Sequence, residues 1–139
     1  SLLATIHDIG KVAILDVILN KKQNLSKKEW DIIKRHPEIG YRIAVSSKQL
    51  SSIAEYILTV HEWWDGNGYP QGLKGEDIPV LSRIIAAVDA YEVMITGRPY
   101  KKAVSKSEAI AELEKCSGTQ FDPRLVKKFI RILKRNRKY

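Results

Sequence analysis

The sequence contains a single cysteine, Cys116, among 139 residues, and this scarcity excludes several classes of protein. An internal disulfide framework needs at least two cysteines, so a small disulfide-stapled scaffold is ruled out. A metal site built from several thiolates is excluded for the same reason. We therefore expect a reducing, aqueous compartment, and any metal centre must use nitrogen and oxygen ligands.

Long apolar runs are also missing, because no stretch approaches the roughly 20 apolar residues of a membrane span. Residues 1–6 lack the basic flank and the small-residue cleavage pattern of a signal peptide. We therefore expect a cytoplasmic protein with no membrane span in this chain. Residues 1–6 are instead predicted to be a helix already under way, so we expect the domain of residues 1–139 to lack its N-terminal helices.

Acidic residues are in the minority, with 16 Asp and Glu against 24 Lys and Arg and a formal net charge of +8. Much of the excess lies on the last predicted helix and its tail, at Arg124, Lys127, Lys128, Arg131, Lys134, Arg135, Arg137 and Lys138. Lys and Arg are favoured near helix C-termini. The pattern therefore favours a solvated helix face over a polyanion site, and no DNA partner is expected.

No segment alternates apolar and polar residues long enough to predict a strand, whereas the helical period recurs almost everywhere. Ser26 and Ser105 each begin a capping box, and Asp122-Pro123 is typical of a helix start. The sequence therefore predicts an all-α helical bundle with one core. The helices are expected at about 26–35, 39–45, 50–60, 79–95 and 105–116, followed by a last one from residue 122.

Two of these helices carry more detailed predictions. Pro37 is expected to end the helix of 26–35 at His36, since proline disfavours helical geometry in the residue before it. The helix of 79–95 is expected to direct one apolar side to the core, consisting of Val80, Ile84, Ala87, Val88, Tyr91 and Ile95. Gly97 is its predicted stop.

Residues 62–79 interrupt the helical pattern with four glycines, at positions 66, 68, 72 and 75, and with Pro70 and Pro79. Such a long loop inside a compact domain is uncommon unless it binds or covers something. We therefore predict a structured loop with a functional role.

Five ionisable residues stand next to apolar segments, namely His7, Asp8, His36, His61 and Asp89. An unpaired buried charge is very costly, and a divalent metal would supply the missing partner. Imidazole and carboxylate ligands together suit Fe, Mn, Zn or Ni. The five residues are therefore a candidate metal site.

Each of these residues also has an ordinary structural explanation, because buried polar side chains usually have hydrogen-bond partners within the protein. His36 could simply end a helix, and Asp8 could pair with Lys11. Asp89 could pair with Arg83 or cap a helix end. Only the five residues together, with the glycine loop between the third histidine and the last aspartate, favour a metal cluster.

The order of these motifs resembles the HD-GYP family of metal-dependent phosphohydrolases, a branch of the HD superfamily. The resemblance covers nearly the whole chain. The matching segments are HDIGK (7–11), HPEIG (36–40), HE (61–62), WDGNGYP (64–70), GLKGEDIP (72–79), RPY (98–100) and FDP (121–123), together with residues 16–19, Leu25, Glu29, Trp30 and Asp89.

The resemblance implies hydrolysis of the bacterial second messenger cyclic di-GMP to pGpG or GMP at a centre of two or three metals. For this chain we expect two ions or fewer, Fe or Mn first and Zn or Ni as alternatives. The metal ligands would be His7, Asp8, His36, His61 and Asp89. Further roles would fall to Asp8 and Lys11 in catalysis, and to Lys11, Tyr69, Arg98 and Lys101 in substrate binding.

The resemblance also implies contacts between the loop of residues 66–70 and diguanylate cyclase domains, within a larger sensor or response-regulator protein. The chain departs from the family at Val60, where the family has a second histidine, and at Glu92, where it usually has aspartate. Two hypotheses follow. The chain is an active phosphodiesterase, or it is a degenerate module that binds cyclic di-GMP or a partner protein without turnover. Hydrolysis of another nucleotide is a third, weaker alternative.

Overall fold

The computed structural model of the chain describes residues 25–99 and 101–136. Within these ranges the regular structure is helical and the only β pairings are two isolated bridges, so the all-α prediction is confirmed. None of the described helices combines the length and apolar character of a membrane span. The α-helices are α1 (Lys27–Ile33), α2 (His36–Val45), α3 (Ala54–Thr59), α4 (Val80–Thr96), α5 (Lys106–Lys115) and α6 (Pro123–Arg135), and short 3₁₀ helices lie at Ser51–Ile53 and Gly75–Asp77.

The predicted helix starts are confirmed in atomic detail. Ser26 and Ser105 each accept a hydrogen bond from the backbone N–H of the glutamate three residues later, whose carboxylate accepts from the serine N–H. Asp122 accepts from the Arg124 N–H at 2.9 Å and so caps α6. These contacts satisfy backbone donors that have no partner inside the helix.

The prediction that His36 ends a helix is wrong. The helix that follows Ser26 ends at Ile33, and His36 is the first residue of α2. Pro37 lies in the first turn of α2, where its missing N–H costs nothing because that group would have no intrahelical partner. Helix α2 therefore begins at His36, three residues before the predicted start at residue 39.

Helix α4 lies between two hydrophobic clusters and connects them. The first cluster joins α2, α3 and α4 through Ala44, Ala54, Ile57, Val60 and Ile85. The second joins α4, α5 and α6 through Ala87, Tyr91, Ala109, Ile110, Leu113, Phe121, Val126, Ile130 and Leu133. A residue on α4 is therefore held from two sides, which gives this helix a fixed position beside the candidate site.

The predicted core side of α4 is correct only for Ala87 and Tyr91. The side chains of the other four predicted core residues are 37% to 54% exposed, namely Val80, Ile84, Val88 and Ile95. Ser82 is buried instead, where its hydroxyl lies 2.8 Å from the Thr59 hydroxyl. Because α4 carries apolar residues around most of its circumference, periodicity alone does not identify the side that packs.

An ion pair ties α4 to the start of α6. The Arg83 Nη1 atom lies 2.7 Å from the Asp122 Oδ2 atom, and Arg83 also donates from Nε to the Ile78 carbonyl at 2.8 Å. The guanidinium lies 5.8 Å from the centre of the Trp64 ring. Arg83 therefore joins α4, α6 and both ends of the 62–79 loop.

Candidate functional site

A cleft of about 850 Å³ lies beside α4, and α1, residues 60–69 and the end of α5 contribute to its walls. Three of the predicted site residues, His61, Tyr69 and Asp89, line it. Val60 lines it as well. The cleft has the size of a site for a small molecule.

The two histidines of the described region meet at the edge of this cleft. The His36 side chain is 1% exposed, and its Nδ1 atom lies 2.6 Å from the Ile33 carbonyl oxygen. A carbonyl oxygen only accepts, so the His36 Nδ1 atom carries a hydrogen. The His36 Nε2 atom lies 2.8 Å from the Nε2 atom of His61, and the two nitrogens share a hydrogen bond.

This arrangement suits metal binding. A histidine that donates its Nδ1–H to a backbone carbonyl has its ring orientation fixed, and Nε2 is then the atom that would bind a metal. His36 and His61 direct their Nε2 atoms toward each other, although 25 residues separate them in the sequence. Asp89, on the neighbouring helix, adds a carboxylate to the same cleft. These are nitrogen and oxygen donors of the kind that Fe, Mn and Zn accept.

Asp89 lies in the middle of α4 and is partly exposed. Asp89 therefore does not cap α4 itself. Because α4 packs against hydrophobic clusters on two sides, the backbone of Asp89 is held in place. Arg83, the other partner considered for Asp89, forms an ion pair with Asp122.

Tyr69 covers the His61 ring. The two rings are nearly parallel, with an interplanar angle of 3° and centroids 5.3 Å apart. Lys34 Nζ lies 5.8 Å from the centre of the Tyr69 ring, and both side chains line the cleft. Lys34 was not among the predicted site residues, because only the tertiary fold brings the end of α1 to a residue 35 positions later.

The loop that carries Tyr69 is folded back on its own beginning. The Glu62 carboxylate, 3% exposed, accepts hydrogen bonds from the Gln71 N–H at 2.7 Å and the Leu73 N–H at 3.0 Å. A Cβ atom on Gly68 would lie 2.2 Å from the Trp63 nitrogen, so only glycine permits this approach. The prediction of a structured loop agrees with this arrangement, whereas Glu62 was not among the predicted site residues.

Val60 lies both in the hydrophobic core and at the wall of the cleft. Its side chain is 4% exposed, packs in the first hydrophobic cluster and also borders the cleft next to His61. A hydrocarbon side chain provides no metal ligand. Position 60 is therefore suitably placed for a ligand that the present residue does not supply.

Cys116 also lines the cleft. Burial raises the pKa of its thiol, and the hydrogen bond to the Glu112 carboxylate raises this pKa further. The thiol therefore remains protonated near neutral pH, and the protonated form is a poor nucleophile and a poor metal ligand. The exclusion of thiolate chemistry is consistent with this environment.

The described part of the structure does not bring the remaining predicted site residues to the cleft. His7, Asp8 and Lys11 lie outside the described ranges. Arg98 and Lys101 are exposed in the turn after α4, where their backbones pair with each other at 2.8 and 3.0 Å, and they do not border the cleft. Among residues 25–99 and 101–136, no three His, Cys, Asp or Glu side chains form a group that could hold a metal.

The chain matches the family model described as HD domain over residues 2–125. It is 43% identical over 133 residues to the cyclic di-GMP phosphodiesterase of Thermotoga maritima, covering 94% of this chain and 36% of the relative. It is 42% identical over 123 residues to the 3'3'-cGAMP-specific phosphodiesterase 2 of Vibrio cholerae, covering 87% and 24% respectively. The chain thus spans about a third or less of the length of these relatives.

The fold is similar to a solved structure from Bdellovibrio bacteriovorus, described as an HDG"Y"P protein. The TM-score is 0.69 at 23% sequence identity, and the similarity covers 92% of this chain and 40% of the other. At this identity the comparison supports the fold.

Proposed function

Because the chain belongs to the HD-domain family, in its HD-GYP branch, we propose that it is a metal-dependent phosphodiesterase module that hydrolyses cyclic di-GMP to pGpG or GMP. The observation that carries the proposal is the contact between the His36 and His61 Nε2 atoms, 2.8 Å apart beside a cleft that Asp89 also lines. These nitrogen and oxygen atoms, which could bind a metal, lie beside a cleft that is large enough for a nucleotide.

The metal would be held by His7, Asp8, His36, His61 and Asp89. Divalent ions, when bound, would activate water and offset the charge of the phosphoryl oxygens. We propose two ions or fewer, with Fe or Mn ahead of Zn or Ni. The nitrogen and carboxylate donors of His36, His61 and Asp89 are compatible with all four metals.

The residues of the chain would then bind and orient the substrate. Lys11 is proposed to contact its phosphates, since cationic donors form strong charge-assisted hydrogen bonds with phosphate oxygens. Arg98 and Lys101 are proposed to contact phosphate that extends beyond the cleft, because they do not border it. Lys34 is added to this group because it lines the cleft close to Tyr69. Asp8 would act both as a metal ligand and in holding the attacking water.

The substrate class is a cyclic dinucleotide, and cyclic di-GMP is the proposed member. The Thermotoga maritima relative is named for cyclic di-GMP and the Vibrio cholerae relative for 3'3'-cGAMP. The two ligands share the phosphodiester ring that metals and lysines would engage. They differ in one base, so a comparison of both tests base selectivity.

The test is to load the full chain with Mn²⁺ or Fe²⁺ under reducing conditions and incubate it separately with cyclic di-GMP and 3'3'-cGAMP. We expect linear pGpG to accumulate from cyclic di-GMP, followed by GMP, as measured by chromatography. Metal-free protein in chelator is the control. Binding of cyclic di-GMP without any product would contradict the proposal and favour the degenerate signalling module.

The setting of this activity is also a proposal. We propose that residues 1–139 form one HD-GYP domain of a larger cytoplasmic sensor or response-regulator protein, in keeping with the length of the relatives. Diguanylate cyclase domains are the proposed protein partners, at the loop of residues 66–70. Asn67 is exposed in this loop and would be accessible to such a partner.

Val60→His is expected to raise the metal content of the purified chain, because position 60 borders the cleft next to His61 and would gain an imidazole. The larger side chain in a packed position is expected to lower stability by about 1–3 kcal/mol. Elemental analysis measures the metal content. Val60→Leu, which changes packing without adding a ligand, is the matched control, and equal metal content in the two variants would count against this site.

A further inference from the structure

We propose that Glu62 is a positioning residue for the metal site: its carboxylate fastens the loop of residues 62–73 so that Tyr69 holds the His61 ring in its orientation toward His36. The inference rests on the proposed function, because it assigns His61 as a metal ligand. It adds a residue whose described carboxylate partners are backbone N–H groups of the loop.

The first step is the environment of Glu62. The residue is almost fully buried, and a buried carboxylate is costly unless hydrogen bonds satisfy it. Within the described residues its carboxylate partners are two backbone N–H groups, those of Gln71 and Leu73, one on each oxygen. Hydrogen bonds to a charged acceptor are about twice as strong as neutral ones. Glu62 therefore fastens the part of the loop that contains Gln71 and Leu73 to the beginning of the loop.

The second step is the path of the chain between these points. Gly68 passes so close to the Glu62 and Trp63 backbone that a Cβ atom would lie 2.2 to 2.6 Å from it. The next residue, Tyr69, donates its N–H to the His61 carbonyl at 3.3 Å. Tyr69 is thus anchored directly on one side, and on the other side by the bond from Gln71 to Glu62.

The third step is the contact between the two rings. An imidazole turns easily about the bond that joins it to Cβ, because this torsion has a broad energy profile. The Tyr69 ring, parallel to that of His61, packs against the imidazole face and resists this rotation. The His61 Nε2 atom then stays directed at the His36 Nε2 atom. The Tyr69 face that meets His61 is also unavailable for stacking on a base.

The test compares Glu62→Gln with wild type in the full chain, using Mn²⁺ alone as the probe. A glutamine amide presents an NH₂ group to one of the two backbone N–H donors, so one hydrogen bond is lost. We expect the Kd for Mn²⁺, measured by calorimetry, to rise about 10- to 100-fold, the range found for residues that orient metal ligands. Amide hydrogen exchange at Gln71 and Leu73 should accelerate in the metal-free protein.

Glu76→Gln is the matched control, because Glu76 is an exposed acid on the same loop. Its Kd is expected to equal that of wild type. Glu62→Asp keeps the charge with a shorter reach and is expected to give an intermediate Kd. This second variant keeps the test decisive if Glu62→Gln fails to fold.

A double-mutant cycle separates positioning from general stability. If Glu62 acts through Tyr69, then Glu62→Gln should change the Kd by less than threefold in a Tyr69→Leu background. Independent, additive effects would overturn the inference, as would faster exchange at Gln71 and Leu73 with an unchanged Kd. If wild type binds no Mn²⁺ or other transition metal, the proposed function fails as well, so the two failures are distinguishable.

Discussion

Replacing His36 with alanine is expected to remove stoichiometric transition metal from the purified chain and to lower hydrolysis of cyclic di-GMP by more than about 100-fold. Changes in residues that only orient ligands typically cost 10- to 100-fold, and loss of a ligand should exceed that range. His36 is the better of the two described histidines for this experiment, because its Nδ1–H is already committed to the Ile33 carbonyl. Elemental analysis and a product assay measure the two effects.

The same variant also leaves a cavity, because the His36 side chain is 1% exposed. His61→Ala is therefore the companion variant, since His61 is more exposed and lies outside α3. It is expected to show the same loss of metal with a smaller loss of stability. Asp31→Asn is the control for cleft-lining acids, and its metal content should stay at the wild-type value. Full metal content in both histidine variants would refute the proposed ligand set.

Local chemistry explains why much of the helical framework is predictable from sequence. A capping serine needs only a glutamate three residues later, as at Ser26 and Ser105, so the signal lies within one turn. Asp122 and the following proline form an equally local signal. The errors arise where tertiary contacts decide. The buried side of α4 depends on which two clusters meet it, and its apolar residues are distributed too evenly to reveal this.

The candidate site shows the same division between local and long-range information. Residue type and order identify His36, His61 and Asp89 as candidates, but the 2.8 Å contact between the two histidines arises from the fold. Lys34 was missed for this reason. An acid directly after a histidine at the end of a buried helix is a local signal for Glu62, whereas nothing near Lys34 in sequence indicates its proximity to Tyr69.

Asp122→Ala is expected to destabilise the fold by about 3–5 kcal/mol, the cost typical of removing one partner from a buried ion pair. The Asp122 side chain is 3% exposed, and its two oxygens serve Arg83 and the capped start of α6. Its loss leaves the Arg83 guanidinium without its charged partner and removes a cap worth about 1 kcal/mol. Thermal unfolding followed by circular dichroism should show a Tm lower by roughly 10–20 °C.

Asp122→Asn separates these two effects, because asparagine is also a good capping residue but carries no charge. Asp122→Asn should therefore be less destabilising than Asp122→Ala. The difference between the two losses of stability measures the contribution of the helix cap. In the double variant Arg83→Met/Asp122→Asn, the total loss should be smaller than the sum of the single losses, because neither charge is left unpaired. Additive losses would mean that the 2.7 Å ion pair contributes no coupling. In that case α4 and α6 would be held together by the second hydrophobic cluster, and the ends of the 62–79 loop by contacts other than Arg83.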